Sequence, residues 1–248
     1  MQIAIHPNYI QYQDFILNLP NNFPQCGETI YKGRNEVKRF FINDTCLIAK
    51  KFKRPHLIQR IIYTFFKKSK AERAYLFAQT FRERGFNTPH EIAFIETKEN
   101  GLFADGYFIS AECTAHPLWD LLNKEEFEKE PADALAQLLV NLHEKKIFHG
   151  DLNLTNILYQ KTTKGYEFTF IDTNRSTFPL DPTPSKCLNN LTRLTHNKKL
   201  LEYVVSKYAL KRDWPPEKCI IQVMNNLAKF ERKKRKKRKL QSIIGINK

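Results

Sequence analysis

The chain has 248 residues, 42% of them hydrophobic, with 41 Lys and Arg against 26 Asp and Glu for a net charge of +15. That length and apolar content exclude a disordered chain and leave room for one large or two small cores. Five scattered cysteines without a C-x-x-C pair exclude a disulfide framework and a cysteine zinc site.

Residues 1–25, with Pro7, Pro20 and Pro24 and no sustained period, read as an irregular N-terminal arm. From Glu28 to Phe52 the β-branched and aromatic text is interrupted at "KGRN" and "NDT" and predicts three strands. Leu57, Ile58, Ile61, Ile62, Phe65 and Phe66 recur at helical spacing; the expectation is that Ile61, Ile62, Phe65 and Phe66 pack inside the strand-rich half, the alternative being that Phe65 and Phe66 join Lys67, Lys68 and Lys70 in a basic docking surface. A second helix is predicted from about Lys70 to Arg84, stopped by Gly85 and Pro89. Two further strands, "HEIAFIE" and "GYFISAE", meet at an Asn100-Gly101 turn.

Past residue 112 the character changes. Leu135, Leu138, Leu139 and Leu142 mark an amphipathic helix, and "ILYQKTTKGYEFTFID" predicts a hairpin turning near Gly165. Three helical stretches follow, the last running into "RKKRKKRK" at 232–239. The predicted organisation is an arm (1–25), a strand-rich lobe (26–111), a helical lobe (112–231) and a basic tail (232–248), an α+β chain in two lobes.

The positive charge is concentrated. Residues 50–74 hold nine Lys and Arg against one Glu, and 232–239 hold eight against none, so the remainder is close to neutral. Two such patches favour a polyanionic partner: an anionic membrane surface, a phosphorylated or acidic acceptor, or nucleic acid. The tail reads equally as a disordered, solvated end. No apolar run reaches the ~18 residues of a membrane span and no signal peptide is legible, which leads to the expectation of a cytoplasmic protein.

Between the amphipathic helix and the hairpin lies "FHGDLNLTNILYQ", residues 148–160. Its His149-Gly150-Asp151-Leu152, with Asn156 five residues after the Asp, resembles the catalytic loop of the protein-kinase-like fold. In that arrangement an aspartate orients the acceptor hydroxyl and takes its proton, while an asparagine one turn later holds a metal on the ATP phosphates. A second metal carboxylate belongs at the end of the returning strand, where Asp172 stands. The phosphate-gripping lysine falls in "CLIAKKF", at Lys50 or, on the opposite face of the strand, Lys51. The turn "YKGRNEVK", with Gly33 and Arg34, is the candidate phosphate cradle. Glu72 is open to two roles: partner of the lysine, or member of a Ser69-Lys70-Ala71-Glu72 capping box.

Together with "LIAKKFKRP", "FFKKSKAERAY", "GFNTPHEIAFIE", "IDTNR" and "LNNLTRL", these stretches resemble the bacterial lipopolysaccharide kinases of Kdo or heptose over about residues 27–215. The resemblance implies a small strand-rich N-lobe and a helical C-lobe, with Asp151 as catalytic base and Asn156 and Asp172 as magnesium ligands. It further implies that Lys50 binds phosphate. The expected cofactors are ATP and Mg2+. The expected partner is a lipid-anchored anionic saccharide, met on the inner face of the inner membrane. Thr173-Asn174-Arg175 after Asp172 departs from the Phe-Gly of regulated protein kinases. Rival readings are a small protein kinase or a kinase of RNA-modification machinery, and a nucleotide-binding pseudokinase.

Overall fold

The computed structural model describes residues 1–243 and divides into two compact units, one of residues 1–115 with 169–175, the other of 116–168 with 176 onward.

The first unit is built on a six-stranded antiparallel sheet. It begins with β1 (Gln2–Ile5), a 3-10 turn at Pro7–Tyr12 and α1 (Gln13–Asn22). Strands β2 (Glu28–Lys32), β3 (Glu36–Ile42) and β4 (Thr45–Lys51) follow, then helices α2 (Leu57–Phe65) and α3 (Lys70–Glu83), and the hairpin β5 (Glu91–Glu99) and β6 (Leu102–Ala111). The strand order is β1-β5-β6-β4-β3-β2. Tight turns take the residues that tolerate left-handed backbone: Asn43 and Asp44 (φ 48° and 62°) and Asn100-Gly101 (52° and 76°).

Strand periodicity sorts the side chains onto two faces. Leu47, Ala49, Ile92, Ile95, Tyr107 and Ile109 pack with Ile16, Leu19 and Phe23 of the α1 region. Phe52 and Phe94 pack on the other side with Ala71, Ala74 and Tyr75 of α3. The first 25 residues are therefore not an irregular arm. They supply an edge strand and a helix whose apolar stripe is fully buried, a period too short for its signal to rise above the three prolines. Lys38 of β3, itself buried, secures this helix by donating from Nζ to the carbonyls of Phe23 (2.7 Å) and Cys26 (3.1 Å). A cation at the end of α1 satisfies carbonyls that the helix leaves over and complements its dipole. On the edge strand's side, the buried Glu91 carboxylate lies 3.6 Å from Arg82 Nε and 4.0 Å from His6 Nε2, tying β5 to α3 and to the N-terminal segment.

Helix α2 differs from expectation. Leu57, Ile58, Phe65 and Phe66 are 60%, 75%, 67% and 77% exposed, and no residue of the helix is buried. It is held instead from its polar side: Arg60 donates to the carbonyls of Phe103 (2.7 Å) and Glu99 (3.1 Å), and Thr64 Oγ1 accepts from Phe103 N (2.8 Å). Its apolar stripe is turned to solvent because the polar side chains make the contacts to β6.

The second unit holds β7 (His116–Pro117), α4 (Leu118–Leu122), α5 (Lys129–Glu144), the hairpin β8 (Ile157–Thr162) and β9 (Gly165–Phe170), and helices α6 (Pro184–Leu191), α7 (Lys198–Leu210) and α8 (Pro216–Ile243). The turn between β8 and β9 falls at Gly165, φ 115°. Its core joins Leu135, Leu139 and Leu142 of α5 with Leu200, Leu201, Val204 and Tyr208 of α7 and Val223 and Leu227 of α8. Helix α8 runs on through the basic run at 232–239, so that segment is helical rather than a disordered tail; residues 244–248 of the predicted tail lie outside the described residues. The chain leaves this unit at the end of β9: Phe170 belongs with the first unit, where it meets Phe81 and Phe86 edge-on (ring centroids 5.5 and 5.9 Å apart) and donates to Asn87 O at 2.8 Å.

Candidate active site

In the first unit the sheet decides which lysine faces α3. Lys50 is opposite Phe108, and Phe108 is opposite Phe94 of the α3-side core, so Lys50 shares that face. Lys51 points the other way, over the Tyr107 ring and 3.9 Å from Asp105. Lys50 Nζ forms an ion pair with Asp172 Oδ1, bringing together residues 122 positions apart. Asp172 holds φ at 58°, a left-handed conformation that Asp tolerates better than most residues. The following 3-10 turn, Thr173–Arg175, fixes it, with Thr173 and Asn174 buried.

Glu72 is not joined to Lys50. Its carboxylate pairs with Lys68, and the helix is capped by Ser69, whose Oγ accepts from the backbone N–H groups of Ala71 (3.1 Å) and Glu72 (3.2 Å). Lys50 has Asp172 in that place. Gly33 sits in the β2–β3 turn, its N–H on Asn35 O (3.0 Å), where a Cβ would collide with the Tyr31 ring. The same turn is braced from Asn35 Oδ1, which accepts from Lys53 N at 3.1 Å.

Sequence reasoning placed Lys70 at the start of a helix and in a basic stretch, not beside the candidate phosphate lysine. Burial at the start of α3 lowers its pKa, and the charges of Arg34, Arg175, Arg73 and Lys50 lower it further. Five cations thus share a neighbourhood, a field that favours a multiply charged anion. The signal was present in the sequence only as a generic basic stretch, because neither Arg34 nor Arg175 is near Lys70 along the chain.

In the second unit the loop 149–156 is organised by its own polar side chains. Asn153 Oδ1 accepts from the N–H groups of Thr155 (3.0 Å) and Asn156 (3.1 Å), making the loop's short 3-10 turn. Asn153 Nδ2 and Asn156 Nδ2 both donate to Asp151 O, at 3.0 and 2.8 Å. Asn156 has therefore committed its amide nitrogen to the loop. His149 is buried and accepts from Asp151 N through Nδ1 (3.2 Å), which makes it a brace. Behind it runs a relay. Asn190 Nδ2 donates to His149 O (3.0 Å), Asn190 Oδ1 accepts from His143 Nε2 (3.1 Å), and His143 Nδ1 accepts from the Tyr208 hydroxyl (2.8 Å). Burial pushes His143 down to about 4, so it is neutral at physiological pH, one nitrogen donating and one accepting.

The carboxylate of Asp151 accepts from Arg193 Nη2 at 2.6 Å. Arg193 comes from the loop between α6 and α7, which is tied to the same loop by Leu154 N on Leu194 O (3.1 Å). An arginine beside the candidate base was not anticipated, since 42 positions separate the two.

Beside Lys50, Asp172 offers carboxylate oxygens of the hard type that magnesium takes.

The profile described as "Lipopolysaccharide kinase (Kdo/WaaP) family" matches residues 29–215. The chain belongs to this family. As a lipopolysaccharide kinase-family protein it is a phosphotransferase acting on a sugar of the lipopolysaccharide core. Among solved structures it is similar to one described as "WaaP in complex with acyl carrier protein", with a TM-score of 0.63 at 14% identity over 95% of this chain and 99% of that one. It also matches the Rio2 kinase–ADP/Mg2+–phosphoaspartate complex of Chaetomium thermophilum, TM-score 0.47, 11% identity, over 94% of this chain and 78% of that one. No curated protein sequence matches. The two-lobed α+β, protein-kinase-like fold expected from the sequence is the fold observed.

Proposed function

We propose that this kinase transfers the γ-phosphate of ATP to a hydroxyl of Kdo in the lipid-anchored inner core. In this reading Asp151 orients the hydroxyl and accepts its proton, and Lys50 grips the phosphates with Arg34 and Lys70 nearby. Asn156 and Asp172 hold magnesium, which when bound neutralises the phosphate oxygens during transfer. The observation that carries the reading is the Lys50–Asp172 ion pair. It joins the phosphate lysine and the metal carboxylate on the α3 face of the sheet, where burial and, after it, neighbouring cations lower the pKa of Lys70. A cation cluster of this kind relaxes when a polyphosphate arrives.

The acceptor is anchored in a membrane, and we infer that the enzyme works on the anionic inner leaflet, on the cytoplasmic side. Helix α2 supports this, with Leu57, Ile58, Ile61, Phe65 and Phe66 exposed and Lys53, Arg54, Lys67 and Lys68 at its ends. An apolar stripe rimmed by cations is the make-up of a helix that lies in the headgroup region. Among the described residues no helix is long and apolar enough to cross a membrane.

The test is mass spectrometry of lipid A–core from cells that carry the wild-type gene, the Asp151→Ala gene or none. The expected result is one phosphate on Kdo with wild type only. A phosphate on heptose would move the acceptor, and an unchanged core in all three strains would defeat the reading.

A further inference from the structure

Beside the loop 149–156 the second unit has an open cavity of about 250 Å³, bordered by Asn153 and Thr155 of that loop, Trp119, Arg193, His196 and Lys234. Its volume lies below the usual range for drug-sized ligands and suits a single sugar ring better than a nucleotide. Three of its six named walls are basic or imidazole side chains, and a fourth, Trp119, offers an aromatic surface of the kind that sugars pack against.

Arg193 is the residue that links this cavity to the chemistry. Its Nη2 donates to Asp151 at 2.6 Å and its guanidinium carbon lies 5.3 Å from the centre of the Phe230 ring. Leu194, the next residue, is fully buried and takes the hydrogen bond from Leu154 N, so the backbone that carries Arg193 is fixed to the loop that carries Asp151. The guanidinium fork has five N–H donors, enough to hold one carboxylate on each side. Many protein kinases place a lysine two residues after the catalytic aspartate. Here that position is Asn153, whose side chain is spent on the loop's own turn. The cation next to the base therefore comes from a different element and opens onto the cavity.

Resting on the Kdo reading, we propose that this cavity is the acceptor subsite and that Arg193, supported by Lys234, binds the carboxylate of the sugar that is phosphorylated. A cation this close to the base calls for an anion on the same ring as the accepting hydroxyl. An acidic sugar meets that requirement, and a neutral heptose does not. Arg193 then bridges Asp151 and the acceptor carboxylate, so one guanidinium sets the distance between base and sugar.

The experiment compares two synthetic acceptors at saturating ATP, a lipid A disaccharide bearing one Kdo and the same molecule with the Kdo carboxylate as its methyl ester. Wild type is expected to prefer the acid by at least about tenfold in KM, the scale of one lost charge-assisted pair. In Arg193→Gln the KM for the acid rises to that for the ester while the ester's KM stays put, Arg193→Lys restores part of the preference, and Lys234→Gln loses a smaller part. Equal use of acid and ester by wild type would overturn the subsite alone, as would an Arg193→Gln enzyme that loses kcat on both acceptors yet keeps the preference. Turnover of neither acceptor would overturn the Kdo reading and the subsite with it.

Discussion

Asn190 and His149, 41 positions apart, are joined by a 3.0 Å hydrogen bond from the Asn190 amide nitrogen to the His149 main-chain oxygen. Through the other end of the same amide, His143 and Tyr208 are connected to the loop that holds Asp151. Helices α5, α6 and α7 thus add an outside brace to the loop's own hydrogen bonds.

Replacing Asn190 by Leu should therefore weaken stability and turnover together. Two buried groups, His143 Nε2–H and the His149 carbonyl, lose their partner, at a cost of about 1–3 kcal/mol each. Urea denaturation should show that loss, and steady-state kinetics should show a fall in kcat of about tenfold with KM for ATP little changed. A variant with full kcat would mean that the loop holds its shape unaided.

The same relay makes stability depend on pH. The ordinary His value is 6.5 and burial brings His143 to about 4, opposed by the Asn190 bond and aided by Arg212. Because the folded value is the lower one, the unfolded chain binds the extra proton between these limits. His143 therefore costs nothing above pH 6.5, and as pH falls toward 4 it removes up to about 3 kcal/mol. Denaturation midpoints measured from pH 7.5 to 4.5 should fall more steeply in wild type than in His143→Phe.

Lys38→Met keeps the aliphatic stem and removes the cation that caps α1. The carbonyls of Phe23 and Cys26 lose a charged donor in a buried place, and the expected loss is about 2–3 kcal/mol by chemical denaturation. Since α1 covers the sheet face away from Lys50, catalytic constants of the folded variant should be near those of wild type.

The two neighbouring lysines should separate sharply. Lys50→Ala is expected to reduce kcat/KM for ATP by about a hundredfold or more, and Lys51→Ala by no more than a few fold, since only the former faces Asp172. Asp172→Ala and Asp151→Ala should each abolish transfer while circular dichroism stays native. Equal effects at Lys50 and Lys51 would contradict the face assignment.

For helix α2 the measurement is co-sedimentation with vesicles. Vesicles containing anionic lipid should bind the wild-type protein, and a Phe65→Ser/Phe66→Ser variant should bind at least several-fold more weakly because each aromatic removed takes apolar area out of the interface. Raised salt should weaken what remains.

Much of the fold was legible because its signals are local. Alternation in β3 to β6, the Asn100-Gly101 turn and the leucines of α5 each lie within a dozen residues. The buried helix α1 was not, since Ile16, Leu19 and Phe23 are only three positions among prolines. The outward face of α2 was missed for a different reason. A strong apolar period says that a face exists but not what it faces, and here the polar side, through Arg60 and Thr64, makes the contact. At the candidate site, the loop that carries Asp151 and Asn156 could be marked from spacing. Arg193, Lys70 and the Lys50–Asp172 pair depend on chain crossings that no spacing records.

The return of residues 169–175 to the first unit also orders the folding of the chain. A ribosome that has completed residues 1–115 has made strands β1 to β6 and helices α1 to α3, yet not Phe170, which meets Phe81 and Phe86 edge-on, nor the carboxylate that meets Lys50. The sheet must wait, incompletely sealed, while more than fifty further residues are synthesised, so the strand-rich half cannot be cut out as an independent module at residue 115.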